Sequence, residues 1–173
     1  MVCHPSRPEK LKIVVFGPYH VGKTSFIHSI DPAARHTEAI STGGSGTTVA
    51  FDYGRTTIGN RRIYLFGTPG QERFDFARNL IAKGLDGAIL IVDAGVGIQQ
   101  MHRELWQRLR RDKVPVAFFI NRNSPRENIP SWRDTLKGEP VYEISSLDTI
   151  SSRRALEAFV PLISSPKNTN RMV

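Results

Sequence analysis

The sequence predicts an α/β fold: a six-stranded, mostly parallel sheet with helices on both faces and one antiparallel hairpin. Three observations predict it. Short apolar runs that read as buried strands alternate with segments of helical spacing, the pattern of a doubly wound sheet. Gly59-Asn60 separates two strand-like runs as a two-residue hairpin signal. A length of 173 residues suits one domain with no internal repeat.

The elements follow in chain order. A flexible lead over residues 1–9 precedes the apolar strand Leu11–Phe16. The glycine-bounded loop Gly17–Thr24 comes next, then an amphipathic helix to about Ile30. Asp31–Thr48 lacks periodicity, contains Gly43-Gly44-Ser45-Gly46, and reads as a long mobile loop. Val49–Ile58 and Arg61–Phe66 are the arms of the hairpin. A second loop, Gly67–Phe74, leads to a helix near Asp75–Lys83 and the strand Gly87–Val92. Ile98, Met101, Leu105 and Leu109 recur at helical spacing, so Ile98–Asp112 reads as a helix. Pro115–Ile120 and Val141–Ile144 are strands, and Ala155–Ile163 is a closing helix. Between the last two strands only a stunted helix near Trp132–Leu136 fits. The folded unit thus spans residues 10–164, with a flexible tail over 165–173.

Composition narrows the class. At 39% hydrophobic and 23% charged residues the chain reads as an ordinary globular protein. Its longest apolar run, Gly87–Val92, is far too short to span a bilayer, and no basic-then-apolar leader opens it. One cysteine, Cys3, allows no internal disulfide, which fits a cytoplasmic location. Val2 excludes myristoylation, and the C-terminal residues form no prenylation box. The 24 Lys+Arg outnumber the 16 Asp+Glu, and 17 of the cations are Arg. This +8 charge favours anionic partners without selecting one.

Chemistry concentrates first in Gly17-Pro18-Tyr19-His20-Val21-Gly22-Lys23-Thr24, which fits G-x-x-x-x-G-K-[ST] between a buried strand and a helix. In such a loop glycines let the backbone wrap phosphates, and successive N–H groups with the helix N-terminus supply positive potential. Tyr19, His20, Val21, Gly22, Lys23, Thr24 and Ser25 are the expected phosphate contacts. Lys23 is expected to reach the β- and γ-phosphates, and the Thr24 hydroxyl to ligate Mg²⁺.

Two further segments fall at fitting distances: Thr47-Thr48-Val49-Ala50-Phe51-Asp52 and Gly67-Thr68-Pro69-Gly70-Gln71-Glu72-Arg73-Phe74. With the phosphate loop, they make residues 11–163 resemble a Ras-like small GTPase, and the second segment looks most like prokaryotic members. The resemblance implies GTP and GDP as ligands, with Mg²⁺. It implies that Thr48, or its neighbour Thr47, closes on Mg²⁺ and the γ-phosphate, that the Gly70 N–H meets that phosphate, and that Gln71 orients the attacking water. Lys23 and Gln71 are then the catalytic residues. Asn121-Arg122-Asn123-Ser124 resembles the base-recognition motif, so Asn121 is expected at the purine edge and Arg122 over the ring. Ser145, Ser146 and Leu147 resemble the last motif, whose backbone N–H meets the base oxygen.

Three positions depart from the family pattern. Gly67 stands where the family carries an Asp that holds Mg²⁺ through water, so the metal is expected to be held more weakly or by another group. Asp93 ends a run that imitates a metal-binding strand but reads as a strand-end residue. Tyr19 and His20 replace small residues, and their bulk would crowd an arginine finger from a partner, so slow intrinsic hydrolysis is expected. Arg35 and Arg55 lie near the first switch and read as solvated arginines. Ser124 is not a carboxylate, which weakens the selection of guanine over adenine.

On the helix 98–112 the cations His102, Arg103, Arg108, Arg110 and Arg111 read mainly as a solvated face, with an acidic partner or a membrane surface as the functional alternative. Trp106 and Trp132 read equally as packing residues or partner anchors, and Phe74 and Phe76 in the second switch read as better partner candidates, with buried packing the equal alternative. No aromatic-interleaved or zinc pattern supports nucleic-acid binding. The expected function is a slow GTPase acting as a nucleotide-dependent switch, with effector or activating proteins on loops 31–48 and 67–78. The alternative is a nucleotide-binding interaction module with little hydrolysis and relaxed GTP/ATP specificity. A phosphate-transferring kinase is disfavoured by the two switch-like segments.

Overall fold

The computed structural model describes residues 8–40, 48–68, 84–122, 136 and 138–163, with the backbone alone over 37–40 and 48–50. Seven strands form one sheet: β1 (Glu9–Phe16), β2 (Arg35–Ile40), β3 (Thr48–Ile58), β4 (Arg61–Gly67), β5 (Gly87–Asp93), β6 (Val116–Asn121) and β7 (Val141–Ile144). Their order across the sheet is β2-β3-β4-β1-β5-β6-β7. Only β3 runs against the others, antiparallel to both β2 and β4. Three helices are described: α1 (Lys23–Ile30), α2 (Gln100–Arg111) and α3 (Thr149–Phe159), the last continuing as a 3₁₀ turn over Val160–Leu162.

The central strands form because they are apolar on both faces, which only a sheet covered on both sides can bury. Every residue of β5 from Gly87 to Val92 is buried, and so is all of β6. Alternate residues then divide between two cores. Ile13, Val15, Ile89, Ile91 and Phe119 face α1 and α3 through Phe26, Ile27, Leu156 and Phe159. Val14, Phe16, Leu90, Val92 and Phe118 face α2 through Leu105 and Leu109. Fully burying a side chain such as Phe119 contributes about 1.5–3 kcal/mol. Arg61, which opens β4, donates from one guanidinium nitrogen to Val160 O (2.8 Å) and Ile163 O (3.0 Å), tying the closing helix to the sheet.

Two expectations are corrected. Among the described residues the sheet has seven strands, not six, because Arg35–Ile40, expected within a loop, pairs residue for residue with β3. Its sequence, Arg-His-Thr-Glu-Ala-Ile, has no apolar alternation; the extended backbone of β3 supplies the hydrogen-bond partners that its own composition does not announce. His102, grouped with the exposed cations of α2, is 1% exposed. It shares the inward face with Leu105 and Leu109, three and seven residues on. Its Nε2 pairs with Ile91 O at 2.9 Å, and its Nδ1 accepts from the Gln99 N–H at 3.1 Å. Burial, together with the charge of Lys23, lowers its pKa, so His102 is a neutral core residue. Arg103, Arg110 and Arg111 are exposed. Trp106 packs edge-on against Phe118 and donates to Glu139 at 3.1 Å, so it is a packing residue.

The remaining elements match their expected positions to within a few residues, and Gly59 takes the left-handed backbone (φ 57°) that the tight β3–β4 turn requires. The closing helix begins at Thr149, six residues before its expected start, because Asp148 caps it. The helix expected over 75–83, the stunted helix expected over 132–136 as far as Thr135, the lead expected over 1–9 as far as Arg7, and the tail expected over 165–173 lie outside the described residues, while Glu9 belongs to β1.

The Asp148 carboxylate accepts from the N–H groups of Ile150 (3.1 Å) and Ser151 (3.0 Å); the Ser151 side chain, followed by these backbone bonds, holds its pKa below the ordinary 3.8. A depressed carboxylate pKa gives stability that is present above the unfolded value and lost as pH falls through the folded one. Asp148→Ala is therefore expected to lower the melting temperature at pH 7. The gap to wild type should narrow as the pH is taken below about 4 in thermal scans.

Candidate functional site

The site lies at the C-terminal ends of the parallel strands, where this sheet class binds ligands. β1 runs into the loop 17–22, and α1 begins at Lys23. Gly17 allows the loop to leave close to β5, because a Cβ there would stand 2.7 Å from Val21 Cγ1 and 2.9 Å from Ile91 O. Gly22 has φ 99°, and a Cβ on it would stand 2.6 Å from both Asn121 Nδ2 and Ser146 Oγ. Only glycine satisfies both demands. His20 also adopts a left-handed conformation (φ 59°), a strain of about 1–2 kcal/mol for a residue with a Cβ.

As N-cap of α1, Gly22 contributes no side-chain hydrogen bond, and the first turn contains no acidic residue. The positive end of the helix is thus left to an anion. Lys23 is 7% exposed, and its Nζ donates to Gly17 O (2.8 Å) and Pro18 O (2.7 Å). Burial lowers its pKa to about 8, opposed by the attraction of Asp52. The lysine thus stands inside the loop with its charge held by backbone carbonyls. Tyr19 is 68% exposed beside His20, at the outer rim.

The Thr24 hydroxyl donates to Asp52 Oδ2 at 2.5 Å, and the other carboxylate oxygen of Asp52 lies 3.0 Å from His36 Nδ1. Asp52 is 7% exposed. Asp52 closes the segment Thr47–Asp52, in which only Thr47 and Thr48 carry an expected role. The signal was available: it is the one acidic residue of an apolar and aromatic run, and strand alternation puts it with Gly54 on the face covered by α1. Hard oxygen donors from a hydroxyl and a carboxylate fit Mg²⁺, which takes one or two protein oxygens and completes its shell with phosphate and water. Among the described residues no group of three or more His, Cys, Asp or Glu is placed to hold a metal ion by itself. Asp93 accepts from the N–H groups of Gly95 (2.9 Å) and Val96 (3.1 Å), so it shapes a turn at the end of β5.

On the far side, Asn121 ends β6 and is 2% exposed. Its Nδ2 donates to Val21 O (2.9 Å) and Ser146 Oγ (3.1 Å), and its Oδ1 accepts from the Ser146 N–H (2.9 Å). Expected at a purine edge, Asn121 is in this structure a strut joining the phosphate loop to the β7–α3 turn. Arg122 Nε lies 3.2 Å from Glu143 Oε2, close enough for ion pairing but without the direction of a hydrogen bond. Ser145 is held by Ser151 and Ser152, whose hydroxyls donate to its carbonyl (3.3 and 3.2 Å). Leu147 is 84% exposed. The phosphate loop and the β7–α3 turn therefore meet at the C-terminal ends of the parallel strands, linked through Asn121.

The switch-like segments are only partly described. Thr48 opens β3 opposite Ile40, and its side chain lies outside the described atoms. Thr68 is pinned to β1, its N–H (3.0 Å) and hydroxyl (3.2 Å) both donating to Val15 O. Thr47, Gly70, Gln71, Phe74, Phe76, Ser124 and Trp132 lie outside the described residues. Arg35 and Arg55 are exposed, as expected.

Comparison with known proteins gives a consistent picture. The family model described as 50S ribosome-binding GTPase matches residues 12–122. An uncharacterized protein of Methanocaldococcus jannaschii is 37% identical over 116 residues, covering 67% of this chain and 72% of that one. The mutual gliding-motility protein MglA of Myxococcus xanthus is 28% identical over 130 residues, 70% of this chain and 67% of its own. Among solved structures, the cytosolic domain of the T. maritima FeoB iron transporter in a GDP form superimposes with a TM-score of 0.66 at 21% identity, covering 95% of this chain and 67% of that one. The elongation factor SelB of Methanococcus maripaludis gives 0.68 at 19% identity, over 92% of this chain and 34% of that one. At those identities the two structures speak for the fold.

Truncating the strut leaves the Val21 carbonyl and the Ser146 N–H without their partner. Asn121→Ala is expected to destabilise the nucleotide-free protein by about 1–3 kcal/mol, read from the midpoint of urea unfolding.

Proposed function

We propose, on the premise that the chain belongs to the GTPase family described as 50S ribosome-binding GTPase, that it binds GTP and GDP with Mg²⁺, hydrolyses GTP slowly, and works as a nucleotide-dependent switch. The observation that carries the reading is the phosphate loop itself. A buried lysine, a helix N-terminus without an acidic residue in its first turn, and a glycine wedged against Asn121 and Ser146 occur together in it.

In this reading the loop N–H groups and Lys23 bind the phosphates and stabilise the charge that develops as the γ-phosphoryl group leaves. Thr24 and Thr48, or Thr47, would hold Mg²⁺, which would supply positive charge to neutralise the phosphates. Gln71 orients the attacking water, and Gly70 contacts the γ-phosphate. Asn121, Arg122, Ser145, Ser146 and Leu147 form the base side, with Asn121 acting through the strut. Loss of the γ-phosphate contacts would rearrange segments 31–48, which include β2, and 67–78, which are then the surfaces for effector or activating proteins. The exposed Arg103, Arg110 and Arg111 offer a separate face to an acidic partner or an anionic membrane surface. Among the described residues no helix is long and apolar enough to cross a membrane.

A second reading is a binding module with little hydrolysis. It is favoured by Tyr19, which projects at the rim of the loop where a partner's arginine would enter. Single-turnover assays separate the two. With Mg²⁺ and GTP the wild type is expected to turn over, and Gln71→Ala to slow it by about 10²-fold through misplacement of the water. No turnover in the wild type favours the module.

Mass spectrometry of the nucleotide retained on purification, followed by competition, is expected to show guanine nucleotides held more tightly than adenine ones. Equal affinity for ATP and GTP would sink the guanine assignment. Lys23→Ala should weaken phosphate binding by about 10–100-fold, the value of a charge-assisted hydrogen bond.

A further inference from the structure

We propose that Asp52 is the acidic residue of the divalent-cation site: it orients the Thr24 oxygen toward the cation and supplies the carboxylate that Gly67 lacks. The inference rests on the nucleotide-binding reading above and extends it to a residue that reading does not use.

Three observations carry it. The first is the hydrogen bond from the Thr24 hydroxyl to Asp52 Oδ2, at 2.5 Å. A hydroxyl has one proton and two lone pairs. Giving the proton to Asp52 leaves the lone pairs free for a cation, and a carboxylate acceptor raises the basicity of the oxygen, as the partners of metal ligands commonly do. The second is register. Asp52 stands directly opposite Gly67 across the β3–β4 pair. A Cβ on Gly67 would lie 2.9 Å from Ile27 Cδ1, 3.2 Å from Asp52 Cβ and 3.4 Å from its Oδ2. The two positions therefore compete for one space, and the bare glycine makes room for a carboxylate delivered from the neighbouring strand.

The third is electrostatic. Asp52 is 7% exposed and next to a loop built to hold anions. A buried carboxylate beside a nucleotide polyphosphate repels it unless a cation stands between them. His36 Nδ1, 3.0 Å from Asp52 Oδ1, fixes the carboxylate plane so that Oδ2 faces Thr24. His36 is then a positioning residue, in contact with Oδ1 while the Thr24 hydroxyl bonds Oδ2.

The test uses the full chain loaded with fluorescent GDP and chased with excess unlabelled GDP, over a Mg²⁺ titration and in EDTA. Wild type is expected to release GDP more slowly as Mg²⁺ rises. In Asp52→Asn, which keeps the shape of the side chain, the Mg²⁺ concentration giving half-maximal protection should rise about 10–100-fold. Its release rate in EDTA should stay within about 3-fold of wild type, because without the cation Asp52 has no favourable part in holding phosphate. Asp52→Ala should behave in the same way and serves if the asparagine variant folds poorly.

An unchanged Mg²⁺ midpoint in either variant overturns the proposal. So does equal acceleration of release in Mg²⁺ and in EDTA, which would make Asp52 a structural support of the loop. A wild type that binds GDP with no Mg²⁺ dependence overturns this inference and leaves the nucleotide-binding reading standing. A wild type that holds no guanine nucleotide removes both.

Discussion

The hydrogen-bonded strut at Asn121 is the constraint on which the site depends. One amide side chain meets Val21, a hundred residues earlier in the chain, and Ser146, twenty-five residues later. It couples the curvature of the phosphate loop to the position of the β7–α3 turn, so neither can shift alone. Gly22 is the counterpart of that strut: the loop can approach Asn121 and Ser146 only because nothing projects from this position. The parallel core makes the coupling rigid, since β1, β5 and β6 are buried on both faces and end at the same edge of the sheet.

Around the strut, buried charge is handled in two ways. Lys23 keeps its ammonium against two loop carbonyls although burial lowers its pKa to about 8. Asp52 keeps its carboxylate between the Thr24 hydroxyl and His36, and its charge works against the desolvation of Lys23. A lysine and a carboxylate held this close to one loop suit a ligand that carries phosphates together with a cation, because each charge then has a partner of opposite sign. His102 shows the opposite solution nearby: a core histidine kept neutral by burial and by bonds to Ile91 and Gln99.

Much of the fold was legible because its signals are local. The uninterrupted apolar runs of β5 and β6 can only be doubly covered strands, and Gly59-Asn60 can only turn tightly. β2 was not legible, since pairing with β3 and not composition makes it a strand. His102 was misread because its chemistry suggested solvent while its helical phase, shared with Leu105 and Leu109, placed it inward. The helix cap at Asp148 moved the start of α3 earlier than its apolar face indicated.

By itself the sequence determined the α/β class, the phosphate loop with Lys23 and Thr24, and the absence of a carboxylate at Gly67, because each depends on residue type at fixed spacing. Only the tertiary structure decided that Asn121 braces the loop and that Asp52 stands opposite Gly67 against Thr24. Both facts are set by strand register across the sheet. Register is fixed by which strands pair, and it cannot be read from the spacing of residues along one chain.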